Sequence, residues 1–106
     1  MKHTHLSKTG QRGWYIGSFP EAALQTELTE VCYRTEPISV TPSHYHTKCT
    51  ETLLIVEGVL KCNGETYSKG DILIFEPGEQ HFFEHLTECT VVTVKTPAGG
   101  HDKVFV

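Results

Sequence analysis

The sequence predicts an all-β domain, an antiparallel β-barrel or sandwich, on three observations. Short apolar runs rich in β-branched residues, Leu53-Leu54-Ile55-Val56 and Ile72-Leu73-Ile74-Phe75, are followed by strand-like segments from His81 to Leu86 and from Thr90 to Lys95. These last three segments recur at spacings of about ten residues, the rhythm of antiparallel strands joined by turns. Asn63-Gly64 lies between Val59-Leu60-Lys61-Cys62 and Glu65-Thr66-Tyr67, and Asn-Gly adopts readily the left-handed backbone that a two-residue hairpin requires. No stretch carries a helical apolar stripe of useful length.

A chain of 106 residues is long enough for one core and not for two. The reading is therefore a single domain over residues 1–106, with its chemistry between about residues 30 and 96 and with residues 1–29 as an N-terminal extension that adds an edge strand. The hydrophobic content of 38% is low, yet it is concentrated in the strand-like runs, which argues for a folded chain.

Taken in order, residues 1 to 10 have no periodicity. His3-Thr4-His5 has a His-x-His spacing but neither a nearby carboxylate nor a strand context, so no metal role is assigned to it. Gly13 to Phe19 reads as a strand that pairs with an edge of its own sheet or of a second subunit, with Trp14 and Tyr15 as packing residues. Pro20 to Leu24 is at most one helical turn, too short to organise anything. From Thr29 to Thr35, Val31 and Tyr33 alternate with Cys32 and Arg34. The default for Arg34 is solvent. Turned inward, it would be a cation inside the barrel and would call for an anionic ligand or a paired carboxylate. Ile38 to Ser43 continues as a strand into His44, with Val40 and Pro42 on the parity of His44 and His46.

The stretch from His44 to Gly58 carries the chemistry. His44 and His46 are two apart, so in an extended segment both imidazoles leave one face, and Tyr45 leaves the other. If Thr47-Lys48-Cys49-Thr50 is a tight turn, Glu51 folds back beside them. Two imidazoles and a carboxylate converging from paired strands suit a divalent transition metal. Leu53 and Ile55 share the parity of Glu51. Leu54 and Val56 then face a second dry surface, either another sheet or a partner subunit. Beyond the hairpin, turns at Gly70-Asp71 and at Glu76-Pro77-Gly78-Glu79 bracket the next apolar strand, and His81 follows as a fourth candidate ligand. Phe83 and His85 share its parity. The tail is a loop, Pro97 to Gly100, and then a short apolar strand.

These segments resemble the two motifs of the cupins, Gly-x5-His-x-His-x4-Glu-x6-Gly and Gly-x5-Pro-x-Gly-x2-His-x3-Asn. His44, His46, Glu51 and Gly58 match the first at full spacing; Gly70, Gly78 and His81 match the second. Ile38 replaces the opening glycine, the proline sits one place late as Pro77, and His85 stands where the asparagine would. None of these departures touches a metal ligand. The resemblance implies a double-stranded β-helix, or jelly roll, commonly a homodimer, and a metal held by His44, His46, Glu51 and His81. The phrases His-Tyr-His, Gly-Asp-Ile-Leu-Ile-Phe-Glu-Pro-Gly-Glu and Val-Lys-Thr-Pro are also similar to small cupins of surface-sugar metabolism.

The expected cofactor is one divalent metal, with iron, manganese, nickel, zinc and copper all compatible with the ligands. A metal held there leaves positions for water, dioxygen or a chelating small molecule. His85 is a general acid or base, a further ligand, or a polar wall residue; Tyr67 and Glu57 are weaker candidates. Without a cation, four such buried polar groups would be costly. The expected function is a metal-dependent enzyme acting on a small oxygenated metabolite by dioxygenase- or isomerase-type chemistry; the alternative is a non-catalytic sugar- or metabolite-binding module.

Composition narrows the partners. A net charge of −4 with scattered lysines and arginines offers no basic patch for nucleic acid. No apolar run approaches the ~18 residues of a membrane span, and the first residues lack the apolar region of a secretory signal, so the expected location is cytoplasmic. Cys32, Cys49, Cys62 and Cys89 form no Cys-x-x-Cys pair and are expected as free thiols. Cys49 is either a small buried residue or a thiol at the pocket mouth.

Overall fold

The computed structural model of the chain describes residues 1–10 and 12–106. After a 3-10 turn at Leu6–Lys8 come β1 (Trp14–Gly17), β2 (Leu24–Gln25), β3 (Glu30–Glu36), β4 (Ser39–Val40), β5 (His44–His46), β6 (Thr50–Glu57), β7 (Val59–Cys62), β8 (Glu65–Ser68), β9 (Ile72–Phe75), β10 (Phe83–His85), β11 (Cys89–Thr96) and β12 (Lys103–Phe105). They form a six-stranded sheet in the order β2-β1-β3-β11-β6-β9, a four-stranded sheet β4-β10-β7-β8, and the pair β12-β5. Apart from the parallel β1–β2 contact, every pairing is antiparallel. This is the all-β, double-stranded β-helix architecture that the strand rhythm and the motifs predict. Among the described residues, no helix is long and apolar enough to cross a membrane.

Strand alternation builds the core. Leu53 and Ile55 of β6, Leu73 and Phe75 of β9, and Cys89 and Val91 of β11 point from the large sheet into one cluster with Leu60, Cys62 and Phe83 of the four-stranded sheet. Burying a side chain such as Ile55 contributes about 1.5–3 kcal/mol. The β7–β8 hairpin turns at Asn63-Gly64, both at positive φ. Gly58, which ends the first motif, has φ +99°, and a Cβ there would run into the Glu88 carbonyl oxygen and lie 2.9 Å from Cys89 Cα.

Several elements differ from the sequence reading. Pro20 to Leu24 is not helical; Leu24–Gln25 pairs in parallel with β1, at the edge of the six-stranded sheet. The expected continuous strand into His44 is broken at Thr41–Ser43, where Pro42 has no N–H to donate to a ladder. β4 therefore pairs with β10 and β5 with β12, so the parity does not carry across: Val40 is 68% exposed. Among the described residues, no second sheet covers the outer face of β6. Leu54 is 37% exposed, and Ile72 and Ile74 on adjacent β9 are 62% and 58% exposed. Arg34 is not solvated by default: on β3 the inward set is Cys32, Arg34 and Glu36, and its side chain lines a cavity, 25% exposed.

Candidate metal centre

The first two histidines are set by β5. Its pairing with β12 places His46 opposite Lys103 and His44 opposite Phe105, and both imidazoles are buried while Tyr45 is half-buried. The short turn after His46 returns the chain as β6, which brings Glu51 Oε2 to 2.8 Å from His46 Nε2. His81 docks by backbone: its N–H donates to the His44 carbonyl at 2.9 Å, and the His44 N–H donates to the His81 carbonyl at 3.0 Å. The His81 ring stacks on Phe75 with centroids 3.8 Å apart, and its Nε2 lies 3.9 Å from Glu51 Oε2. Ligand atoms of His44, His46 and Glu51 all lie within 4.8 Å of one another; the fourth expected ligand, His81, approaches Glu51 but does not join that mutually close group.

The Nδ1 atom of each histidine is tied down behind the ring. His44 Nδ1 donates to the Pro42 carbonyl at 3.0 Å, His81 Nδ1 to the Glu79 carbonyl at 3.0 Å, and His46 Nδ1 to Asp102 Oδ1 at 2.8 Å. A carbonyl oxygen can only accept, so on His44 and His81 the proton sits on Nδ1 and the Nε2 lone pair is left facing the site, whereas His46, between two carboxylates, can hold a proton on either nitrogen or on both. His46 Nε2, His81 Nε2 and Glu51 Oε2 are buried and make no hydrogen bond. His46 Nε2 and Glu51 Oε2, 2.8 Å apart, form a charge pair whenever His46 holds a proton on Nε2, the position a cation would take. Buried acceptors aimed at common space without donors are expensive, and a divalent cation there would satisfy all of them. The residues present fit a metal.

Electrostatics agree with that geometry. Burial pushes the pKa of His44 and of His81 down. His46 is pushed up, first by Glu51 and, against burial, also by Asp102. Burial acts to raise Glu51, yet His46, Lys95 and His81 together bring it below the ordinary carboxylate value. Asp102 is likewise lowered to about 2, because burial is outweighed by His46 and by the N–H groups of Cys49 and Lys48.

His85 is buried and lines the same cavity, but it does not join the close ligand group; its Nδ1 lies 3.3 Å from Ser39 Oγ, and burial pushes its pKa down. Cys49 is fully buried rather than at the mouth, its thiol raised to about 12 by burial and then by Asp102. Cys49, His46 and Asp102 also form a close trio, which the hydrogen bonds to Asp102 account for. Glu57 pairs with Lys69 on the surface, and Tyr67 packs against the core. Trp14, read as a packing residue, lines the cavity of about 320 Å³. Lys95, Lys103 and Arg12 also line it, and sequence reasoning singled out none of them. A signal existed for Lys95 alone, which shares the inward parity of Val91 and Thr93 along β11. Lys103 is exposed, yet partial desolvation of its ammonium, then the neighbouring Lys95, lowers its pKa.

No protein-family model and no curated protein matches the chain. Solved structures do. A conserved protein with a double-stranded β-helix domain from Klebsiella pneumoniae superposes with a TM-score of 0.68 at 24% identity, over 78% of this chain and 74% of that one. A cupin-2 domain containing protein from Shewanella frigidimarina gives 0.61 at 16% identity, over 67% and 72%. A sugar phosphate isomerase from a cupin superfamily, from Silicibacter pomeroyi, gives 0.59 at 25% identity, over 65% of this chain and 50% of that one. With these likenesses and both motif segments meeting at one buried cluster, the chain has the double-stranded β-helix fold of a small cupin domain.

Proposed function

We propose that the protein is a metal-dependent enzyme acting on a small oxygenated metabolite, with one divalent metal held by His44, His46, Glu51 and His81. The observation that carries this reading is the convergence of three buried atoms, His46 Nε2, Glu51 Oε2 and His81 Nε2, with no hydrogen-bond partner outside their own group, behind which the Nδ1 atoms of His44, His46 and His81 are already committed. Iron, manganese, nickel, zinc and copper all suit three imidazoles and a carboxylate. Such an ion, when bound, polarises a carbonyl or hydroxyl oxygen placed on it.

The chain's own residues supply the rest. Phe83, Leu53 and Val91 line the cavity with apolar surface, which restricts water. Burial keeps His85 neutral near pH 7, with Ser39 Oγ beside Nδ1. A neutral imidazole in that cavity can take a proton from a carbon next to a carbonyl and return it to the neighbouring carbon, which is isomerisation. The likeness to the Silicibacter pomeroyi isomerase supports this branch over oxygenation.

Elemental analysis of untagged protein beside a His46→Ala variant tests the metal: about one equivalent in the wild type and a loss in the variant is the expected result. No metal in either protein after reconstitution sinks the reading. Uptake of solvent deuterium by small hydroxy-carbonyl compounds separates the chemistries, since oxygenation would consume dioxygen and a non-catalytic binding module would do neither.

The exposed Leu54, Ile72 and Ile74 on one face of the large sheet support a homodimer, which light scattering tests; an Ile72→Asp variant should then be monomeric. The four buried free cysteines support a reducing, cytoplasmic location.

A further inference from the structure

The cavity lined by three of the metal candidates, His44, His46 and Glu51, is lined by cations as well. Arg12, Arg34, Lys95 and Lys103 line it, against two carboxylates, Glu36 and Glu51. Glu51 faces the histidines, and Glu36 lies beside Arg34, with Oε1 at 2.9 Å from Nε. Among the described residues, no carboxylate comes within 4.0 Å of Lys95, Lys103 or Arg12. Lys95 is the most telling: it is 8% exposed, on the inward parity of β11, with Nζ 4.9 Å from the Trp14 ring centroid. Lys95 feels Glu51 across the strand pair but makes no direct ion pair with it; an ammonium buried without a carboxylate in contact is costly, and a ring face offsets only part of that cost. Arg34 Cζ lies 5.8 Å from the same ring.

The register fixes where these charges stand. Lys95 is directly opposite Glu51 across β11 and β6, and Lys103 directly opposite His46 across β12 and β5. Directly opposed residues in an antiparallel pair have Cβ atoms about 5 Å apart. Each lysine is therefore the neighbour of a candidate metal ligand, within one small molecule's length of it.

We propose that Lys95, Lys103, Arg34 and Arg12 form a subsite for the anionic end, a carboxylate or a phosphate, of the metabolite whose oxygen the metal takes. This assignment rests on the metal-dependent reading above. It narrows the substrate class to small hydroxy or oxo acids and phosphate esters, and it gives the buried ammonium an anion in direct contact. Trp14, the chain's single tryptophan, reports the site because it lies beneath two of the cations.

The test is titration of the whole chain, first freed of metal with a chelator and then reloaded, with inorganic phosphate, malonate and, as a neutral control, glucose. Trp14 fluorescence follows the wild type, and calorimetry follows the variants. The expected result is that phosphate, malonate or both bind metal-free protein, that glucose does not, and that added salt weakens the binding. Affinity should fall about tenfold or more in Lys95→Met and also in the surface-accessible Lys103→Ala. The anion that binds tells a phosphate substrate from a carboxylate one. Binding of glucose as tight as that of either anion, or unchanged anion affinity in both folded variants, overturns the subsite. Metal uptake without any anion response also overturns it and leaves the metal reading standing. Anion binding without metal uptake keeps the subsite and removes the metal.

Discussion

His46 Nδ1 donates to Asp102 Oδ1 at 2.8 Å, joining the candidate ligand to a residue 56 positions further along the chain. The other oxygen of the same carboxylate accepts from the N–H groups of Lys48 and Cys49 at 3.1 Å each. One buried side chain therefore orients the ring and closes the turn that carries the chain from His46 to Glu51. The pairing of β12 with β5 is what delivers it.

Replacing Asp102 with Asn keeps the shape and removes the charge that makes His46 a better donor to metal. Affinity for the metal should fall about 10- to 100-fold, measured by competition against a chromophoric chelator. Unchanged affinity would mean that Asp102 serves the turn alone.

Asp102 also sets an acid limit. Its carboxyl is lowered from 3.8 to about 2 in the folded protein. A depressed carboxylate stabilises the fold above its unfolded pKa, and that stability is lost as pH falls through the folded one. The difference corresponds to roughly 2 kcal/mol, present at neutral pH and disappearing between about pH 4 and pH 2. Urea unfolding of metal-free protein should show the gap between wild type and Asp102→Asn narrowing over that window. A gap constant with pH would contradict the assignment.

What the sequence revealed and what it hid follow from distance along the chain. His44, His46 and Glu51 were legible because one short turn separates them and strand parity does the rest. Leu53 and Ile55 were legible on the same ground. Arg34 was not, because parity alone does not say which face of β3 is inward; the neighbouring β11 decides that. Val40 was misread because Pro42 interrupts the ladder and resets the parity. Asp102 left no local signal at all, since its role depends on a tail strand pairing back onto β5. Leu54, Ile72 and Ile74 mark the opposite case: the apolar pattern was plain, and among the described residues nothing covers it.

Gly58 lies where β6 hands over to β7. At φ +99°, with the Glu88 carbonyl oxygen and Cys89 Cα in the path of a Cβ, an alanine meets both backbone strain and a clash with backbone that cannot swing aside. Gly58→Ala should destabilise the fold by more than about 1 kcal/mol, seen in denaturant midpoints. The same change at Gly64, where the space is open, should cost less, since only its left-handed backbone is strained.

Metal uptake should depend on pH through one histidine rather than three. His44 and His81 are held below 6.5 by burial, so near pH 7 their Nε2 lone pairs are already free. Glu51 lies below its usual value and is ionised there. His46 is the exception: Glu51 raises it above 6.5, and the proton responsible sits on Nε2, where the ion would bind. Proton and metal compete for that atom, so affinity should fall as pH drops through the raised pKa of His46, while the other two imidazoles begin to protonate only at lower pH. Calorimetry near pH 7 in buffers of different ionisation enthalpy should register about one proton released per metal ion, or a fraction of one if His46 is partly titrated. Release of two or three would place the competing protons on His44 and His81 as well, and release of none would mean that His46 is neutral before the metal arrives.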